Sequence, residues 1–255
     1  MINSNPSSSR VKLPHQPITE YYSTEEERAG FVREMFDTTG ADYDYIEHLL
    51  AFGTGPWYRG QALRRAGLKP GMRVLDVGFG TGLVATKAIE IIGSPKLLTG
   101  LDPSPGMMQA SPLFKQIVLI EGRAEQISFP DNSFDFLSMG YALRHMSDLE
   151  RVFSEFLRVL KPGGKLCILE ITKPETLFGT AMLKTYMRAI VPLLAKAVSA
   201  NGNTSRLWRY YWDSIEACTP PEKIIETLAF AGFLDVKRHR ELRIFSEYQA
   251  NKSES

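Results

Sequence analysis

A chain of 255 residues, 44% hydrophobic and 23% charged, has the make-up of an ordinary water-soluble domain. Thirty Lys and Arg against 29 Asp and Glu leave a net charge of +1, which argues against a phosphate-reading surface and so against a nucleic-acid partner. No apolar run approaches the ~20 residues that cross a bilayer, so no transmembrane segment is expected.

Residues 1–22 open "MINSNPSSSRVKLPHQP", rich in Ser and Pro, with no acid before Glu20. No apolar segment suits secretion, and prolines at 6, 14 and 17 break an amphipathic targeting helix. We read 1–22 as a flexible tail and 23–255 as one domain. Thr24 before Glu25, Glu26 and Glu27 is a helix start, and Phe31, Val32, Met35 and Phe36 follow at helical spacing. A second helix is expected over Tyr43–Leu50.

The middle alternates strand and helix. Strands are expected at Arg73–Val77, Leu97–Leu101, Ile117–Ile120, Phe134–Ser138 and Lys165–Ile171, with helices at Leu83–Ile92 and Leu149–Leu160. "KPGG" at 161–164 reads as a turn. This alternation implies an α/β fold with a parallel sheet covered on both faces. Thr176–Ala200 is apolar with scattered lysines, and Pro192 should kink it. Helices at Thr204–Ala217 and Pro221–Ala231 follow, then two terminal strands in "FLDVKRHRELRIFSEYQA". Cys167, in "GGKLCILEI", reads as a core side chain. With Cys218 far away there is no disulfide framework, which fits a reducing, cytoplasmic setting. No metal site is expected.

The stretch "VLDVGFGTGLVA" carries the chemistry. A dinucleotide loop reads G-x-G-x-x-G. Here Gly78, Gly80 and Gly82 alternate, and Leu83 stands where the third dinucleotide glycine would be. Asp76, before the first glycine, is a poor neighbour for a pyrophosphate and a good one for an ammonium. Asp102, ending the second strand, is placed to accept hydrogen bonds from a ribose. Together these describe a nucleoside with an amino-acid arm and no phosphate, a description that S-adenosyl-L-methionine fits. Arg123, beyond the third strand, reads either as a plane stacked on the adenine or as a solvated surface arginine.

The segments "RVLDVGFGTG", "GLDPSPGMM", "AEQISFPDNSFDF", "ALRHMSD" and "FLRVLKPGGKLCILEITKP" occur in order. They resemble the class I S-adenosylmethionine-dependent methyltransferases, and more narrowly the ubiquinone/menaquinone-biosynthesis C-methyltransferase family. "MFDTTGADYDYIEHLLAFGTGPW" is similar to that family's N-terminal region, so the resemblance spans roughly residues 31 to 248. It implies a Rossmann-like seven-stranded sheet of order 3-2-1-4-5-7-6, the seventh strand antiparallel. Helices at about 23–66 and 176–217 would add a lid. It also places the cofactor on Thr81, Asp102, the Arg123–Ala124 pair and Gly140. The chain departs from the family where Asn precedes "AE" (Arg123 here), where Ser follows the fourth strand (Gly140), and where Gly-Leu-Arg-Asn becomes Ala142-Leu143-Arg144-His145.

The resemblance implies methylation of a hydrophobic aromatic or quinol-like small molecule, activated as phenolate or enolate. Methylation of a specialised metabolite at O, N or C is the alternative, and a nicotinamide oxidoreductase or a non-catalytic binding module stand further off. Ligands bind beyond the carboxyl ends of parallel strands. That rule nominates His145 as base, Arg144 as stabiliser of the anion and Glu170 at the fifth strand's end, while Tyr43 and Asp44, in a lid-like segment, are the expected closing groups. The competing readings are a structural histidine and an Arg144 salt bridge to Asp148 or another acid. Thr176–Ala200 is either core packing or a greasy wall for a prenyl tail, brushing a membrane surface. The aromatics of "RLWRYYWDS" either line a pocket or pack the lid. Oligomeric state is left open.

Overall fold

Strands covered by helices on both sides must be apolar on both faces. The computed structural model describes residues 12–40, 43–44, 47–48, 54–198 and 202–254, and among these the strands at the sheet's centre are buried in this way while those at its two edges are largely exposed. The strands are β1 (Val74–Val77), β2 (Leu98–Asp102), β3 (Val118–Glu121), β4 (Phe134–Gly140), β5 (Leu160–Ile171), β6 (Leu234–Glu241) and β7 (Phe245–Asn251). Among the described residues they form one sheet of order β3-β2-β1-β4-β5-β7-β6. β1 through β5 pair in parallel, and β7 runs antiparallel to both β5 and β6. The expected order and the antiparallel seventh strand are both present.

The described helices are α1 (Glu25–Asp37), α2 (Gly55–Arg65), α3 (Leu83–Ile92), α4 (Pro105–Ala110), α5 (Leu149–Val159), α6 (Leu177–Thr185), α7 (Val191–Val198), α8 (Gly202–Ala217) and α9 (Pro221–Phe230). Thr24 caps α1 through the Glu27 amide, and Asp148 caps α5 through the Arg151 amide. Leu149, Val152, Phe153, Phe156 and Val159 repeat at helical spacing on α5 and are wholly buried, each contributing about 1.5–3 kcal/mol. They pack with Leu75, Val77, Leu137 and Met139 on one face of the sheet. Val74 and Phe136 point to the other face, against Ala62 and Leu63 of α2 and Val84, Ala85 and Ala88 of α3. Asp76 and Ser138 occupy register positions on that second face, which brings Asp76 to the face covered by α2 and α3.

Two local expectations change. Lys12–Tyr22 is no tail: the Lys12 carbonyl accepts the Leu149 amide, the Pro14 carbonyl accepts the Thr219 amide, and His15 and Tyr22 are buried. Residues 1–11 lie outside the described residues. "KPGG" does not end the strand, since β5 already begins at Leu160. Gly163 and Gly164 exchange backbone bonds with Ser253 and Lys252, which continue past β7. Before Pro192 there is a π-helical turn, Tyr186–Ile190. Proline has no N–H to donate to Arg188, and the widened turn accommodates its ring. The helix expected at Tyr43–Leu50 lies partly outside the described residues. Residues 43, 44, 47 and 48 are helical.

Candidate active site

The carboxyl ends of β1, β2 and β4, with α1, α2 and α8 above them, line a cleft that opens onto about 890 Å3 of space. At its floor lies Asp76, next to last in β1, and the loop Gly78–Gly82 leads into α3. Gly78 sits at φ +67, and a Cβ on it would stand 2.6 Å from the Ala142 Cβ, so the loop lies flat against the β4 exit only because that atom is missing. Asp76 is buried and accepts the Ser138 hydroxyl at 2.5 Å. Burial, reinforced by the charge of Asp102, pushes its carboxyl up to about 7, although the Ser138 bond opposes this.

Asp102 closes the other side of the loop. Its Oδ2 accepts the Gly80 amide at 2.7 Å and its Oδ1 the Ser104 amide at 2.8 Å. Burial pushes it up to about 6 against those two bonds. The neighbouring turn is held by Asp37 at the end of α1, which accepts from the Ser104 hydroxyl and the Gly106 amide. Two buried acids thus flank a bare backbone loop, and both are held part-way to neutrality by the lack of a counter-charge.

Beyond β3 a second lobe of the cleft is lined by Arg123, Ala124, Glu125, His145 and Arg28. Arg123 lies on the wall, but its guanidinium bonds Ser147 and Glu125 at half exposure, so it braces the rim. Burial pushes the Glu125 carboxyl up, but the Ser147 hydroxyl and amide outweigh burial and hold it below its usual range. Gly140 lines the first cleft, where a Cβ would meet Val84 Cγ2 at 2.5 Å. Val84 fills the room a serine would need. The Thr81 hydroxyl donates to Asp44, so Asp44 fastens its segment to the glycine loop and does not itself line the cavities.

The catalytic candidates separate. His145 lines both lobes of this cleft. Its ring stacks on Tyr210 with Phe36 at its edge, and its Nε2 is buried without a partner among the described residues. Burial and the charges of Arg144, Arg28 and His15 hold it well below the ordinary imidazole range, and so neutral. Arg144 corrects the sequence expectation, for it lines none of the described cavities. It is wholly buried, bonded to Glu170 at 2.5 Å, to the Tyr141 carbonyl and to Ser214, with its charge 4.0 Å from the Tyr211 ring centre. The acid it pairs with is Glu170, not Asp148, and Glu170 is equally buried and faces no cavity. That pair fills the interior because an isolated charge there would be prohibitive.

A second, apolar cavity adjoins the first. Trp57, Tyr58, Leu183, Tyr186, Met187, Trp208, Ile244 and Phe245 are among its lining residues. Four side chains line both spaces: Tyr43, Arg59, Tyr141 and Tyr211. Tyr43 was singled out from the sequence, and Tyr211 was among the aromatics of 208–212 offered as pocket lining; Tyr43 stacks on Trp208 at 5.8 Å. Tyr141 takes φ +58, a left-handed conformation costly for a tyrosine, directly after β4. Arg59 is buried, ion-paired with Glu47, and keeps Nε and Nη1 without a partner among the described residues. The only sequence signal for Tyr141 was its place after Gly140, and Arg59 had none beyond the nearby Trp57. Of the aromatic run 208–212, Trp208 and Tyr211 line the cavity, while Tyr210 and Trp212 pack the interior. Among the described residues no group of three His, Cys, Asp or Glu could hold a metal, and no helix is long and apolar enough to cross a membrane.

Comparison with known proteins agrees with this geometry. A model of the ubiE/COQ5 methyltransferase family matches residues 22–243. The demethylmenaquinone methyltransferase of Symbiobacterium thermophilum is 32% identical, over 82% of this chain and 87% of its own. The ubiquinone/menaquinone biosynthesis C-methyltransferase UbiE of Pseudomonas fluorescens is 30% identical, over 84% and 86%. A SAM-dependent methyltransferase of Thermotoga maritima, described as a possible histamine N-methyltransferase, superposes with a TM-score of 0.60 at 20% identity. That match covers 87% of this chain and 99% of the other. At such identity it speaks for the fold alone.

Proposed function

The chain belongs to the ubiE/COQ5 methyltransferase family, and from that premise we propose that it moves a methyl group from S-adenosyl-L-methionine to an apolar aromatic or quinol-like small molecule. One observation carries the acceptor reading: an acid-floored cleft and an apolar cavity meet at Tyr43, Arg59, Tyr141 and Tyr211. The chemistry of the donor set fits S-adenosylmethionine. Asp76 would take the ammonium of its amino-acid arm, and Asp102 the ribose hydroxyls. Arg59, two of whose buried nitrogens have no partner among the described residues, would take its carboxylate, beside Thr81 and the glycine loop. Ala124, Arg123 and Gly140 would edge the adenine and the arm. Bound there, the donor supplies an electrophilic methyl carbon on a sulfonium.

The protein's part is mainly positioning. Stacked and buried aromatics at the junction hold a flat acceptor ring against the cleft, and such orientation supplies about 7–11 kcal/mol of a bimolecular barrier. The helices at 23–66 and 176–217 serve as the cover that keeps water out, which strengthens every charge interaction inside. His145 faces the cofactor cleft as a hydrogen-bond acceptor for the acceptor's hydroxyl, since burial and the neighbouring cations leave it too weak a base to hold a phenol's proton. Tyr43 hydrogen-bonds the acceptor oxygen from the cavity side. Its hydroxyl, held far above the usual range by burial and by Tyr211, stays protonated and so donates. Methylation of an unrelated specialised metabolite is the weaker reading, because the cavity's lining is apolar and aromatic.

The test is product analysis with isotope-labelled donor on hydroquinones and phenols of rising tail length, beside a Leu183→Trp variant that narrows the apolar cavity. Labelled product should form, and the variant should lose turnover on the longer acceptors while keeping donor affinity. If no quinol or phenol is labelled while a polar scaffold is, the acceptor reading is wrong.

A further inference from the structure

The segment 177–194 is apolar on its outer face. Its exposed side chains are Leu177, Phe178, Ala181, Met182, Thr185, Ala189, Ile190, Leu193 and Leu194, without a charge among them. The two cations in the stretch, Lys184 and Arg188, are half-buried and neutralised in ion pairs, Lys184 with Glu216 and Arg188 with Asp213 of α8 and with Glu20. A helix on a water-facing surface ordinarily shows the reverse. The inner side of the same helical run is apolar as well, for Leu183, Tyr186 and Met187 wall the apolar cavity. Trp57 and Leu242, both largely exposed, also line that cavity and so form its mouth.

The geometry points to a lipid surface as the occupant of this face: the run 177–194 lies in the headgroup and upper acyl region of a membrane and the acceptor enters the apolar cavity from it. This rests on the proposed acceptor class, since a molecule that fits such a cavity dissolves in lipid rather than water. Exposed Lys173 and Lys196 bracket the stripe, and the exposed Glu175 beside Lys173 is ion-paired with Arg240, which leaves the flanks net cationic towards an anionic membrane face. An exposed tryptophan at the mouth suits the same boundary. No described helix could span the bilayer, so the contact is in-plane, as for amphipathic helices that lie on a membrane.

The experiment is co-sedimentation of the full chain with vesicles of phosphatidylcholine and phosphatidylglycerol, beside Phe178→Glu and Leu193→Glu. Both side chains are exposed, so neither change disturbs packing; unfolding temperature and donor affinity should stay at wild-type values. We expect the wild type to partition onto vesicles and each variant to lose at least about tenfold in partition coefficient, the loss expected when one large apolar side chain is withdrawn. The variants should keep turnover on a short, water-soluble acceptor and lose it on one embedded in vesicles. A wild type that stays in the supernatant overturns the proposal, as do variants that bind equally well. Self-association that the variants abolish, without vesicle binding, makes the face an interface between copies instead. Vesicle binding needs no acceptor, so failure of the acceptor reading shows up separately, as absent turnover with binding intact.

Discussion

Asp76→Asn separates what the buried acid costs from what it does. Asp76 is almost fully buried, and burial together with the Asp102 charge holds it at about 7 against an ordinary 3.8. Because the folded value lies above the unfolded one, the neutral carboxyl favours folding in full below pH ~4 and that contribution is lost as pH rises through about 7. At pH 7.5 the ionised group therefore costs the apoprotein about 4 kcal/mol. Asparagine keeps an acceptor for the Ser138 hydroxyl and carries no charge at any pH. The variant apoprotein should thus be more stable in urea at pH 7.5 by up to about 4 kcal/mol, a gap that closes as pH falls towards 4. The same change removes the counter-ion for an ammonium. A hydrogen bond to a charged group contributes about 1.5–3 kcal/mol, so calorimetry should show donor affinity down at least about tenfold. An apoprotein no more stable at pH 7.5 refutes the burial argument, and an undiminished affinity refutes the assignment of Asp76 to the donor's ammonium.

Asp102→Ala should raise the donor dissociation constant about 10–100-fold, two hydrogen bonds at about 1 kcal/mol each; an unchanged constant by calorimetry sinks the ribose role. Gly140→Ser should destabilise by about 1–3 kcal/mol through the clash with Val84, and adding Val84→Ala should recover much of it; a neutral single variant in thermal unfolding means the strand end yields. Glu170→Gln should cost about 3–5 kcal/mol of stability, because it strands the buried Arg144 charge. A wild-type melting temperature would show that the pair is not holding the interior. Arg59→Met should weaken donor binding at least about tenfold while a donor analogue lacking the carboxylate is unaffected; equal losses for both ligands would move Arg59 to another role.

Much of the fold was legible because strand and helix periods are local properties. The run Val74–Val77, the glycine triplet and the α5 stripe Leu149–Val159 each declare their period within a few residues. The make-up of the cleft floor was legible too, since Asp76, Gly78, Gly80, Gly82 and Asp102 sit at the ends of adjacent strands, and register alone brings them together. Arg144 and His145 read as a catalytic pair because they follow β4. Their fates parted for a reason no spacing encodes: Glu170, 26 residues on, draws Arg144 into the interior, while Tyr210 and Phe36 hold His145 against the cleft.

By itself, the sequence determined the alternation of strands and helices, the glycine loop between two acids and, through its ordered motifs, the family, whose resemblance carried the sheet order. Only the tertiary structure decided that Tyr43, Arg59, Tyr141 and Tyr211 share one junction, that Lys12–Tyr22 packs against the body, and that the 177–194 run is apolar on its outer face. Those outcomes depend on which side of a helix meets a distant neighbour, and side-chain direction is set by packing rather than by order along the chain.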